Sequence, residues 1–85
     1  MTVARLQLAL VQAAAALDPE ANRAALARLV AEHAADADLV AFPEAFARDF
    51  GEAGSDLAAF AEPTDGPFGT TLATAFRAHA CTVMQ

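Results

Sequence analysis

Two short apolar runs, Leu6-Gln7-Leu8-Ala9-Leu10-Val11 and Leu39-Val40-Ala41-Phe42, stand on either side of a segment that carries helix-start chemistry. Each run has the length and character of a buried strand rather than a helix. Between them, Asp18 suits an N-cap, Pro19 suits the first helical position, and Glu20 complements the positive end of the helix dipole. The helix is expected to run to about Ala35, with Leu26, Leu29, Val30 and His33 as its core stripe and Arg28 and Glu32 one turn apart on a more exposed side. Asp36-Ala37-Asp38 then turns the chain into the second run, which Pro43 closes because it has no N–H for a central strand. Strand, helix and strand within so short a span fit a βαβ unit with a parallel pair.

Beyond Ala45 the chain is less regular. Gly51 and Gly54 break it, and Ser55 is placed to cap a short helix through Asp56, Leu57, Ala58, Ala59 and Phe60. Gly66-Pro67 opens another helix, with Phe68, Leu72, Ala75, Phe76 and His79 on one face. Cys81-Thr82-Val83-Met84 has the character of a third buried strand, and no turn signal follows before Gln85. The expectation is an α/β chain of βαβαβ order, in which residues 1–85 are the N-terminal portion of one larger domain, cut within its third strand.

A chain of 85 residues buries only about 60 to 65% of its unfolded surface, so a self-sufficient enzyme is not expected. Because 25 residues are Ala, the core rests on nine Leu, five Val and six Phe. The net charge of −6, without a basic stripe, argues against nucleic-acid or anionic membrane partners. All five basic residues are Arg, so the chain has no Lys. One Cys and no signal-like start lead to the expectation of a reducing, cytoplasmic setting. No apolar stretch approaches the roughly 20 residues of a membrane span.

Glu44 is the candidate for chemistry. It follows Phe42-Pro43 directly, and ligands of open α/β sheets bind beyond the carboxyl ends of the strands. On position alone it either serves a site there or caps and solvates a loop. His33 and His79 fall on apolar helix faces and are read as structural, and one Cys with two distant His leaves a zinc centre short of ligands. Gly66-Pro67-Phe68-Gly69-Thr70-Thr71 lacks the ending of a phosphate loop and is read as a helix start; Gly51-Glu52-Ala53-Gly54 is too acidic and too far from the first strand for a dinucleotide fingerprint. Phe46 and Phe50 pack in the core or wall a pocket, and core packing is favoured.

Ala41-Phe42-Pro43-Glu44-Ala45-Phe46 resembles the strand that delivers the catalytic glutamate in the nitrilase superfamily of carbon-nitrogen hydrolases. Leu8-Ala9-Leu10-Val11-Gln12 is similar to that family's first strand, Asp18-Pro19-Glu20-Ala21-Asn22 to its first helix start, and Ala37-Asp38-Leu39-Val40 to the approach to the glutamate. Ala61-Glu62-Pro63-Thr64-Asp65-Gly66-Pro67 and Thr82-Val83 continue the resemblance in register, so that it spans the chain. It implies a four-layer αββα sandwich and hydrolysis of linear amides, carbamoyl compounds or nitriles by a Glu, a Lys and a Cys. No cofactor or metal is implied. The partners implied are a small-molecule amide or nitrile substrate and further copies of the parent protein in a homo-oligomer.

Only the Glu carries over. Glu44 would be the general base, a task helped by partial desolvation. Family nucleophiles lie well downstream, so Cys81 is read as a buried structural residue. Arg48-Asp49-Phe50-Gly51 departs from the Thr-Gly-Tyr-like residues of many relatives. The alternative is a non-catalytic remnant or interaction module that docks its sheet edge on a partner. A flavodoxin-like signalling domain shares the element order but needs several acidic residues at strand ends, which Glu44 alone does not supply.

Overall fold

The computed structural model describes residues 4–79 and 82–84. Three short strands, β1 (Leu8–Leu10), β2 (Leu39–Ala41) and β3 (Thr82–Met84), form a parallel sheet in the order β1-β2-β3. Helix α1 (Pro19–His33) connects the first pair and α2 (Pro67–His79) precedes β3. The chain is therefore α/β, with the βαβαβ order expected from the sequence. The end of the third strand at Gln85 lies outside the described residues.

Helix α1 starts as its sequence dictates. Asp18 is the N-cap, its carboxylate accepting the Glu20 backbone N–H at 3.0 Å, and Pro19 fills the first turn where no N–H is needed. After His33 a 3-10 turn, Ala34–Asp36, tightens the chain toward β2. Asp38 then fixes the strand register. Its backbone N–H donates to the Gln7 carbonyl at 2.8 Å, and its carboxylate accepts the Gln7 N–H at 2.9 Å. At the other end of the ladder Val11 N–H donates to the Ala41 carbonyl at 2.9 Å.

Register puts Ala9 beside Val40, and Leu8 and Leu10 beside Leu39 and Ala41. Val40 is fully buried and joins Leu26 and Val30 of α1 and Phe68 and Ala75 of α2 in one core, against which Ala9 packs. Both helices thus cover the same face of the sheet, and they also touch each other. The opposite face is left bare at β1, where Leu8 is 53% and Leu10 72% exposed, with the preceding Leu6 at 64%. Leu39 and Ala41 are half-buried beside them.

Two helix stripes differ from expectation. In α1 the buried row is Asn22, Leu26 and Val30, stepping by four, with Leu29 at its margin. His33 lies off that row on the last turn and is exposed, 3.8 Å from the Glu32 carboxylate. In α2, Phe68, Leu72 and Ala75 face the core, whereas Phe76 and His79 are exposed. At 100° per residue Phe76 is rotated by roughly 80° from Phe68, which takes it off the buried stripe. Arg28 and Glu32 pair at 3.0 Å on the solvent side, as their spacing predicts.

The short helix after Gly54 is a single 3-10 turn, Ala58–Phe60. Asp56, not Ser55, supports it by accepting the Ala58 N–H at 2.9 Å, while Ser55 Oγ donates backward to the Glu52 carbonyl. With the Ser55 hydroxyl committed to Glu52, the Asp56 carboxylate is the local acceptor that takes the turn's first N–H. At α2, Glu62 accepts the Phe68 N–H and so serves the helix's positive end. Gly69 belongs to this helix start: a Cβ there would run into the Thr64 carbonyl oxygen. The close approach of loop to helix, rather than phosphate binding, requires that glycine.

Candidate functional site

Because the strands are parallel, the ends at Leu10, Ala41 and Met84 share one edge of the sheet. The chain leaves β2 at this carboxyl edge through Phe42 and Pro43, and Glu44 opens a tight turn. Ala45 has φ +59°, a left-handed conformation that Ala adopts only under constraint. Arg48 N–H closes the turn on the Ala45 carbonyl at 3.3 Å.

Three anchors impose that geometry. Phe46 is fully buried, its ring 5.0 Å from that of Phe42 and tilted by 48°, so the turn is nailed into the core two residues after Glu44. Asn22 of α1, only 3% exposed, donates from Nδ2 to the Ala47 carbonyl at 3.1 Å. Asp49 N–H donates to the Ala16 carbonyl at 3.0 Å, joining the turn to the segment after β1.

Glu44 itself is exposed, and among the described residues its carboxylate has no hydrogen-bond or ion-pair partner. The partial desolvation that a general base would use is not supplied by the elements around it. Among the described residues, Glu44 lines none of the surface depressions around it: one reaches the turn at Ala47, with Glu62, Phe68 and Leu72, another lies beside the end of β1 at Leu10, Val11 and Gln12, and a third sits at the amino edge of the sheet, at Gln7, Asp36 and Asp38.

Phe46 is a core residue, as the sequence favoured. Phe50 is not, standing 59% exposed on the loop that leaves the turn. Arg48, where the sequence departs from the nitrilase pattern, lays its guanidinium over the Phe60 ring at 3.7 Å and donates to the Asp49 carbonyl at 3.0 Å. It thereby ties the turn to the 3-10 segment through a cation–π contact. Cys81 lies outside the described residues. Among those described, no group of three or more His, Cys, Asp or Glu side chains is placed to hold a metal ion. No described helix is long and apolar enough to cross a membrane.

Comparison with known protein families, with curated proteins and with solved structures found no match to this chain. Sequence reasoning placed Glu44 at the strand end and Phe46 in the core, but it missed Asn22. The available signal was an Asn in the first turn of a helix, where a polar residue with no core role is the common case.

Proposed function

We propose that this chain is the N-terminal portion of a cytoplasmic carbon-nitrogen hydrolase of the nitrilase type, with Glu44 as its general base. The observation that carries the reading is the placement of Glu44, first residue of a constrained, core-anchored turn at the carboxyl edge of a parallel sheet. The substrate class is a linear amide, carbamoyl compound or nitrile. A Lys and a Cys from residues outside the 85 complete the chemistry, since this sequence contains no Lys. No cofactor takes part.

The reaction on an amide follows from those three groups. The Cys thiol gives its proton to Glu44 and its sulfur adds to the carbonyl carbon, while the Lys stabilises the oxyanion. The C–N bond breaks, and Glu44 passes its proton to the departing nitrogen. Water then adds to the thioester and loses a proton to Glu44; the C–S bond breaks and that proton returns to sulfur, releasing the acid.

The bare apolar sheet face supports the four-layer arrangement. A second sheet packed on Leu6, Leu8 and Leu10 gives the αββα order, and the helices outside are free to pair parent chains into oligomers. The same face favours one other reading, an interaction module that docks this surface on a partner.

The test uses the full product of the gene that encodes this chain, assayed for ammonia release from propionamide, butyronitrile and N-carbamoylglycine. Glu44→Gln is expected to fold normally and to lower kcat by about 100-fold to 10,000-fold. Equal turnover in wild type and variant, or none in either, would remove Glu44 from the chemistry and favour the module.

A further inference from the structure

We propose that Asn22 is a positioning residue for the glutamate, acting through the backbone of the Glu44 turn; this rests on the hydrolase reading above. Asn22 is the buried polar residue of α1, yet its side chain serves nothing in its own helix. Its carboxamide pairs with Ala16 in a closed ring: the Ala16 N–H donates to Oδ1 at 2.7 Å and Nδ2 donates to the Ala16 carbonyl at 2.8 Å. The other Nδ2 hydrogen reaches the Ala47 carbonyl at 3.1 Å. This pattern fixes the orientation of the amide, because turning it over would set oxygen against two carbonyls and NH₂ against an N–H.

One side chain therefore links the segments that follow β1 and β2, both at the carboxyl edge of the sheet. The Asp49 N–H bond to the Ala16 carbonyl completes a bridge around the turn. Ala47 lies three residues after Glu44, with left-handed Ala45 and buried Phe46 between them. The clamp holds Ala47 while Phe46 holds the core side, and together they keep Ala45 in a conformation it would otherwise leave. Glu44 has no side-chain partner among the described residues, so its position is set by this backbone. A group that merely filled space at the start of α1 would have no need of three hydrogen bonds to two segments outside its helix.

The experiment compares wild type, Glu44→Gln, Asn22→Asp and Asn22→Leu in the full gene product, with ammonia release from the same three compounds, well below each protein's Tm. Asn22→Asp keeps the shape and the acceptor for Ala16 N–H but loses both donors; Asn22→Leu loses all three bonds at similar volume. Both variants are expected to lower kcat by about 10-fold to 100-fold through misplacement of the base. KM should stay within about twofold of wild type, since the loss falls on the transition state. If Asn22→Leu does not fold, Asn22→Asp decides. Folded variants with wild-type kcat, or with a change confined to KM, would overturn the role of Asn22 while leaving Glu44 in place. Should wild type match Glu44→Gln, the hydrolase reading fails and the role of Asn22 in catalysis falls with it.

Discussion

Ala45 carries a strained backbone beside the candidate base, and its φ of +59° costs about 1 kcal/mol that the surrounding anchors must offset. A β-branched side chain tolerates that region far less well. Ala45→Val is therefore expected to destabilise the chain by about 1 to 3 kcal/mol, read from the urea midpoint at unchanged m-value. Gly69 is constrained by space rather than by φ. Gly69→Ala has to push the Thr64 carbonyl aside and should lose about 1 to 3 kcal/mol in the same assay. A wild-type midpoint in either variant would contradict the local geometry. Glu44 was legible in the sequence because Pro43 ends the strand just before it, and a carboxylate after a buried strand stands where α/β sheets place their sites. Asn22 was not, because its partners are the main-chain groups of Ala16 and Ala47. Backbone acceptors leave no mark in a sequence, and Asp38, which holds Gln7 across the sheet, was read as a turn residue for the same reason.

Local signals located the elements, and long-range packing set their faces. Asp18 and Pro19 marked the start of α1 because capping needs only neighbours along the chain. Asp18→Ala should cost about 1 kcal/mol, and an unchanged urea midpoint would mean that the cap contributes nothing. The faces were harder to read. Alanine surrounds both helices, so their apolar stripes are broad in sequence, and which Ala or His meets the sheet depends on where each helix crosses it. Val40 shares a core with Leu26 and Val30, and the exposed His33 falls outside it. Phe76 shares the three-and-four spacing of the apolar face but is turned away with nearly half its surface exposed. Asp56 displaced Ser55 as the support of the 3-10 turn because the Ser55 hydroxyl is committed to Glu52.

Among the described residues, both helices lie on one side of the sheet, and the other side is apolar and uncovered at β1. Its radius of gyration is 14.3 Å, larger than the roughly 12 Å of a compact domain of this length. Double substitution Leu8→Thr and Leu10→Thr should change the stability of the 85-residue chain by no more than about 0.5 kcal/mol per site, since both residues are exposed. In the full gene product the same change should cost about 1.5 to 3 kcal/mol per residue, provided a second sheet covers them. Equal effects in the two proteins would deny that cover. The 85-residue chain by itself should release no ammonia from any of the three compounds, because it has no Lys to hold an oxyanion. The most direct test of the account is to read the encoding DNA past the codon for Gln85. The account predicts an open frame of about 150 residues or more, which would bring the whole to the upper size range of a single domain, and a Lys and a later Cys at the ends of further strands. An immediate stop codon would contradict it and leave Glu44 without partners.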